Sequence, residues 1–133
     1  MACVVVVDDQ PLILRSVARA LRAAGHEVRT ASRRDELAQI DCSGVDLIVM
    51  DIDLGHDDGI ALAAEMAARG EHAPIMFHTA NADRDTLTRA TRLGGVLPKG
   101  DLEPLYRWLE REGERPGRYA SGVVRKVDAS RTG

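Results

Sequence analysis

Five short apolar segments alternate with five stretches of helical spacing along this chain. Three of the segments, CVVVV (3–7), VDLIVM (45–50) and PIMF (74–77), are continuous runs, which is typical of strands buried on both faces of a sheet. HEVRTA (26–31) alternates and is expected nearer an edge, and GVLPK (95–99) is a weaker fifth strand. The alternation predicts right-handed crossovers and a mainly parallel sheet with helices on both faces, which is an α/β fold.

The intervening stretches place apolar residues on one helical face. These residues are Leu12, Val17, Ala20 and Leu21, then Leu37 and Ile40, then Ile60, Leu62, Ala63 and Met66, then Leu87, Ala90 and Leu93, and finally Leu105, Trp108 and Leu109. Gly25, Gly70 and Gly94 fall where the helices are expected to end, as glycine often does. Tyr106 and Trp108 are interpreted as one partly buried face of the last helix.

Length and composition fit one folded domain. The chain has 133 residues, of which 44% are hydrophobic and 29% charged, enough for a core. Its apolar runs are far shorter than the roughly 20 residues of a membrane span, and no signal peptide opens the chain, so a cytoplasmic protein is expected. Cys3 and Cys42 lack the spacing of a zinc or disulfide motif and are expected to be small buried thiols.

Charge divides the chain into two parts. The formal net charge is -3, with +3 over residues 113–133 and therefore -6 over residues 1–112. A nucleic-acid-binding domain would show a concentrated basic face, so direct nucleic-acid binding is not expected. We predict a domain over 1–112 and a flexible C-terminal tail over 113–133, where Gly, Pro, Ser and charge follow no period. Contact of the basic tail with an acidic partner is the alternative.

Polar residues stand at the ends of four of the predicted strands. Asp8 and Asp9 follow the first strand, Asp51 ends the third, Thr79 ends the fourth and Lys99 ends the fifth. The carboxyl ends of parallel strands meet at one edge, where such sheets bind ligands. Carboxylate pairs 4 Å apart would each cost on the order of 4 kcal/mol at an effective dielectric of 20. A hard cation with oxygen ligands, Mg²⁺, is therefore predicted among the three acids.

These residue types suit phosphoryl transfer. A carboxylate at the metal can attack phosphorus, while Lys99 and the Thr79 hydroxyl can neutralise charge on the phosphoryl oxygens. The alternative is a solvated turn in which Asp8 or Asp9 caps the helix begun by Pro11, with Thr79 and Lys99 as ordinary strand and surface residues. The four histidines show no paired ligand spacing and are interpreted as surface or satisfied core residues, namely His26, His56, His72 and His78.

The motifs VVVVDDQP, IVMDIDLGHDDG, HTA and LPKG, in this order, resemble the receiver domain of bacterial two-component response regulators over about residues 3–112. The resemblance implies a flavodoxin-like, doubly wound (βα)5 fold. It implies that Asp51 accepts a phosphoryl group from a phosphohistidine on a sensor histidine kinase or a histidine phosphotransfer protein. Asp8, Asp9 and Asp51 would hold Mg²⁺ with the backbone carbonyl of Asp53, Thr79 would move toward the phosphoryl group, and Lys99 would pair with it.

Three positions depart from the family pattern. Gly100 stands where a proline, often with a cis bond, usually follows the lysine, and Val96 replaces an aromatic residue that normally swings inward with the threonine. Gly55 replaces a proline after the acceptor and is expected to loosen that loop. These changes put the output in question more than the chemistry. Asp53 and Asn81 occupy positions that tune water access in the family.

Three functions remain in competition. The first is a single-domain response regulator, which is not a conventional enzyme and works through protein contact or a phosphorelay. The second is a phosphatase of the haloacid dehalogenase type, suggested by DID at 51–53, although that motif normally lies on the first strand. The third is a receiver-like binding module that works without phosphorylation. A calcium-binding EF-hand does not fit, because Gly55 and Leu62 occupy its fifth and twelfth ligand positions.

Overall fold

The structure is a computed structural model that describes residues 1–80 and 83–113, without the side chains of residues 112 and 113. Its elements in chain order are β1 (Cys3–Val7), α1 (Pro11–Ala23), β2 (Glu27–Ala31), α2 (Arg34–Ala38), β3 (Leu47–Asp51), β4 (Asp53–Leu54), β5 (Asp57–Asp58), α3 (Gly59–Ala68), β6 (Ile75–Thr79), α4 (Arg84–Thr91), β7 (Gly95–Pro98) and α5 (Glu103–Gly113).

The main sheet has five parallel strands in the order β2-β1-β3-β6-β7. This is the strand order of flavodoxin-like doubly wound folds, so the predicted fold class is confirmed. The strand β2 lies at one edge, as its alternating sequence predicts. The other edge is β7, which tolerates Pro98 because an edge strand has one side without a ladder partner.

Two predicted strands are shifted toward the polar residues that follow them. The third strand is Leu47–Asp51 rather than 45–50, and the fourth is Ile75–Thr79 rather than 74–77. The shift arises because the polar ends still take part in pairing. Asp51 is in register with His78, and the backbone N–H of Lys99 donates to the carbonyl of Thr79 at 2.8 Å.

Each face of the sheet packs against its own helices. On one face α1 and α5 contribute Val17, Leu21, Leu105, Trp108 and Leu109 to a core with the strands. On the other face α2, α3 and α4 contribute Leu37, Ile60, Leu62, Met66 and Ala90. Trp108 is buried and Tyr106 packs beside it, in agreement with the interpretation of the last helix.

The predicted apolar faces need correction at several positions. Leu12 is 73% exposed, and Ile13 and Leu14 pack instead, because α1 begins at Pro11 and turns Leu14, Val17, Ala18 and Leu21 inward. Ile40 lies beyond the end of α2, and Leu87 is exposed.

The two cysteines are half-buried rather than buried, since each lies at the margin of the core. Burial raises the pKa of both thiols. Gly113, assigned to the tail by sequence, is the last residue of α5. The predicted tail over 114–133 and Asn81 lie outside the described residues. In the parts of the chain that the structure describes, we find no helix with the length and apolar character needed to cross a membrane.

Two adjacent glycines with different surroundings lie at the start of β7, Gly94 just before the strand and Gly95 as its first residue. A Cβ atom on Gly94 would run into the backbone carbonyl of Ile75, whereas a Cβ on Gly95 would meet only the Met76 side chain at 3.9 Å. We therefore expect Gly94→Ala to lower the free energy of unfolding by about 1–3 kcal/mol or more, and Gly95→Ala to change it little. Urea unfolding of the two variants checks this expectation, which equal losses would contradict.

Candidate functional site

Three carboxylates meet at the carboxyl edge of the sheet. One oxygen from each of Asp8, Asp9 and Asp51 lies within 4.8 Å of the others. Asp8 and Asp51 are buried, with relative exposures of 1% and 3%, whereas Asp9 is exposed. The buried strands β1 and β3 hold the first and third acids at this depth, and Asp9 is the acid that faces solvent. The structure thus brings together the three predicted metal-ligating side chains.

Lys99 joins the two buried acids. Its ammonium lies 3.2 Å from Oδ2 of Asp8 and 3.4 Å from Oδ2 of Asp51. Only the contact with Asp51 also has hydrogen-bond geometry, so the contact with Asp8 is an ion pair. Lys99 is therefore a member of the site rather than a surface lysine.

Asp8 does not cap the following helix. Its Oδ1 accepts a hydrogen bond from the backbone N–H of Gln10 at 2.9 Å, and Gln10 is the N-cap of α1, without a side-chain capping bond. The alternative of a solvated turn is therefore wrong, because the carboxylate of Asp8 is buried. Its Oδ2 is left without a hydrogen bond within the described part of the chain.

The cluster holds more negative than positive charge. Burial and the neighbouring Asp8 raise the pKa of Asp51 from 3.8 to about 7, although Lys99 and the backbone N–H of Asp53 act to lower it. Burial acts to lower the pKa of Lys99, but Asp51 and Asp8 outweigh it and hold that pKa above its usual value. Because three acids face one ammonium, a further cation would improve the charge balance of the cluster. The unbonded oxygen of Asp8 and the all-oxygen ligands fit a hard divalent ion such as Mg²⁺.

Thr79 and Asp53 are placed differently from the three clustered acids and Lys99. Thr79 is half-buried at the last position of β6. The side chain of Asp53 is exposed, and its backbone N–H donates to Oδ1 of Asp51 at 3.2 Å. Asp53 therefore orients the predicted acceptor through its backbone, while its predicted role as a carbonyl ligand remains a prediction.

The loop after Asp51 is a hairpin rather than a loosened segment. The strands β4 and β5 pair antiparallel, with Asp53 opposite Asp58 and Leu54 opposite Asp57. Gly55 permits this turn because its φ of 71° lies in the left-handed region, which proline cannot adopt. A Cβ atom built on Gly55 would lie 3.4 Å from Oδ2 of Asp9, so the hairpin passes close to the exposed acid. The described residues contain no cis peptide bond.

Two arginines that the sequence analysis did not single out tie this hairpin to helices. Arg34 of α2 contacts Asp57 at 3.4 Å and Glu65 of α3 at 2.8 Å. Arg89 of α4 contacts Oδ2 of Asp58 at 2.7 Å. Oδ1 of the same Asp58 caps α3 by accepting from the backbone N–H of Ile60. These ion pairs join elements that are far apart in sequence, so they cannot be predicted from a local sequence pattern.

The other residue that sequence reasoning missed is His78. It is buried with 3% exposure, in register with Asp51, and its Nε2 has no hydrogen-bond partner among the described residues. The interpretation as a surface or satisfied core histidine is therefore wrong. A polar residue within the buried segment IMFHT was the available signal.

This geometry is matched by a known family. Residues 4–99 match the response regulator receiver domain. The chain belongs to the response regulator receiver domain family. The resemblance found in the sequence is confirmed, and the haloacid dehalogenase alternative loses its support because the DID motif lies at the end of a central strand of a receiver domain.

Two curated relatives of this receiver domain are named as transcriptional regulatory proteins. PdtaR of Mycobacterium tuberculosis is 30% identical over 95 residues, which are 70% of this chain and 46% of the relative. ZraR of Salmonella typhimurium is 32% identical over 112 residues, which are 81% of this chain and 25% of the relative. The chain thus spans less than half the length of these two relatives.

Solved structures agree over nearly their whole length. The chemotaxis protein CheY4 of Vibrio cholerae is 28% identical with a TM-score of 0.73, and the match covers 84% of this chain and 98% of that one. TrrA of Thermotoga maritima, solved in complex with Mg²⁺-BeF, is 26% identical with a TM-score of 0.69 over the same shares. The receiver fold is therefore shared as a complete unit.

The raised pKa of Asp51 predicts a pH-dependent effect of Asp51→Asn in the presence of chelator. The folded state binds the proton of Asp51 more tightly than the unfolded state, so wild-type stability falls as pH rises from about 4 to about 7. At about pH 8 the variant is expected to be more stable by at most about 4 kcal/mol, from 1.36 kcal/mol per pKa unit over about three units. At about pH 4 the gain should vanish. Urea unfolding at both pH values measures it, and an equal difference at both contradicts the expectation.

Asp58 should matter more to stability than its partner Arg89. Asp58→Ala removes the cap of α3 and the ion pair, for an expected loss of about 1–2 kcal/mol. Arg89→Ala removes only an exposed pair and should cost less than about 1 kcal/mol. Arg84→Ala, at the start of the same helix, is the matched control. A loss in Arg89→Ala as large as that in Asp58→Ala would show that the pair, not the cap, dominates.

Proposed function

We propose that this receiver domain accepts a phosphoryl group on Asp51 from a phosphohistidine of a sensor histidine kinase or a histidine phosphotransfer protein. The observation that carries the proposal is the contact of one ammonium, Lys99, with two buried carboxylates beside an exposed third acid. A cluster built only for stability would not bury two acids with one cation, because the excess charge is costly. The arrangement suits a site that binds a further cation when the phosphoryl group is transferred.

Mg²⁺ is the proposed source of that charge. Asp8, Asp9 and Asp51 would hold the ion with their side chains, and Asp53 would contribute its backbone carbonyl. When bound, the ion neutralises the acids and the negative oxygens of the incoming phosphoryl group. The crystal structure of TrrA contains Mg²⁺-BeF, which supports the same cofactor here.

The chain's own residues then have separate roles in the transfer. A carboxylate oxygen of Asp51 forms the new O–P bond while the P–N bond to the donor imidazole breaks, and that imidazole leaves with the electron pair. The backbone N–H of Asp53 holds Oδ1 of Asp51 in place. Lys99 pairs with a phosphoryl oxygen, and the hydroxyl of Thr79 approaches another. Both donors stabilise charge on the transferring group.

The output of phosphorylation is proposed to be a change in protein contacts. A shift between two surface states is how such switches act. Val96 on β7 lacks the aromatic ring that normally accompanies the threonine. The ion pair of Arg89 with Asp58, in the hairpin of β4 and β5, is one link between the site and α4 in the described part of the chain. Action as a single domain remains a prediction, because the two curated relatives described above extend beyond the matched region. A cytoplasmic location is likewise a prediction.

Acetyl phosphate with Mg²⁺ tests the proposal directly. Intact mass spectrometry should show one base-labile phosphoryl adduct on the wild type, none on Asp51→Asn and none after addition of a chelator. Lys99→Ala, measured at saturating Mg²⁺ with its fold checked by circular dichroism, should lose at least about tenfold in the rate of modification, because a charge-assisted contact in the transition state is removed. Asp101→Asn, an exposed acid near the same edge, is the matched control and should behave as the wild type.

Two outcomes would contradict the proposal. An adduct on Asp51→Asn would move the acceptor to another residue. A folded wild type that neither binds Mg²⁺ nor forms an adduct would favour the alternative of a receiver-like module that works without phosphorylation. Val96 and Gly100 would then be the first residues to examine.

A further inference from the structure

His78 is a buried polar residue at the edge of the phosphorylation site. It is 3% exposed, and its Nε2 has no hydrogen-bond partner among the described residues. A buried nitrogen without a partner costs stability that an apolar side chain would not. Its neighbours in register are Asp51 on β3 and Leu97 on β7, so the ring stands between the predicted acceptor and the strand that leads to Lys99.

The alternation of side chains along strands places His78 on the same side of the sheet as the site. Residues two positions apart on a strand share a face. The residues two positions before Asp8, Asp51, His78 and Lys99 all pack in or against the core of α1 and α5, namely Val6, Val49, Met76 and Leu97. The four polar residues therefore lie on the same side of the sheet, at or just after the carboxyl ends of β1, β3, β6 and β7.

The surroundings of His78 favour its uncharged imidazole, and the ring is not among the atoms grouped as potential metal ligands. Burial lowers the pKa of His78 and Lys99 lowers it further, while Asp8 acts in the opposite direction. In the described residues the cluster of potential ligand atoms within 4.8 Å contains carboxylates only. An imidazole nitrogen that carries no proton can offer a lone pair to an ammonium that approaches it.

We propose that His78 is a positioning residue for Lys99. His78 helps the ammonium of Lys99 to leave the two carboxylates and to reach the phosphoryl oxygen. This inference rests on the proposed phosphoacceptor function. The ammonium has three N–H donors and lies against two carboxylates at 3.2 and 3.4 Å. The imidazole of His78 offers the ammonium a polar neighbour while its contact with Asp51 is replaced by a contact with the phosphoryl oxygen. With an apolar residue at 78, the ammonium stays on the buried Asp8 and reaches the phosphoryl group less often.

The test compares His78→Leu, which keeps the volume, with His78→Gln, which keeps a polar group. Rates of phosphorylation by acetyl phosphate are measured at saturating Mg²⁺ over a range of donor concentrations. In His78→Leu the maximal rate should fall by about tenfold, as for loss of a charge-assisted contact, with the donor concentration at half-maximal rate unchanged. His78→Gln should restore most of the rate. The exposed His72→Leu is the control and should match the wild type.

Three further measurements separate positioning from a structural role. The Tm of His78→Leu should equal or exceed that of the wild type, because an unpartnered buried nitrogen is removed. The ¹⁵N chemical shift of Lys99 Nζ in the unphosphorylated protein should change in His78→Leu and not in His72→Leu. In the Lys99→Ala background, His78→Leu should change the residual rate by less than about twofold, since the two residues act as a unit.

Distinct results overturn the two proposals. If the wild type forms no adduct, the phosphoacceptor function itself fails. If the wild type is phosphorylated and His78→Leu keeps its maximal rate, or slows Lys99→Ala by a further tenfold or so, the role of His78 is refuted while the function stands. Should His78→Leu fail to fold, His78→Val takes its place in the same comparison, with the same outcomes.

Discussion

The contact of Lys99 with Asp8 and Asp51 is the interaction on which the rest of the site depends. Both carboxylates are buried at the ends of central strands, where an unpaired charge would be strongly destabilising. The ammonium reaches them from the residue that follows β7, an edge strand separated from β3 by β6, and so links the carboxyl ends of β1, β3 and β7. One cation cannot balance three acids, and this imbalance is the physical basis of the Mg²⁺ site that we propose at this edge of the sheet.

The surroundings of the cluster divide into a rigid side and an adaptable side. Below the acids lie the valines of β1 and the apolar residues of β3, which hold the carboxylates at a fixed depth. Above them the hairpin of β4 and β5 is held through its own pairing and through exposed ion pairs of Arg34 and Arg89. Exposed pairs are individually weak. We therefore expect a change of charge at Asp51 to alter the contacts of the hairpin and α4 before those of the buried strands.

The departures from the family pattern acquire a physical meaning in this setting. Gly55 does not leave the loop open, because its left-handed conformation permits a paired turn that passes close to Asp9. Val96 leaves β7 without an aromatic ring to swing, and His78 adds a polar ring one residue before Thr79. The chain thus keeps the residues for phosphoryl chemistry while differing in the groups that surround them.

The sequence alone predicts the α/β class, the alternation of the five main-sheet strands with five helices, and the meeting of Asp8, Asp9, Asp51 and Lys99 at one edge, but not the short strands β4 and β5. It could do so because these depend on local periodicity and on the rule that parallel strands end together. Only the tertiary structure decided that Leu12 faces solvent, that Arg89 reaches Asp58 and that Nε2 of His78 lacks a partner. The last two features depend on side-chain contacts between elements distant in sequence, and the exposure of Leu12 depends on the residue at which α1 begins. Local periodicity determines neither.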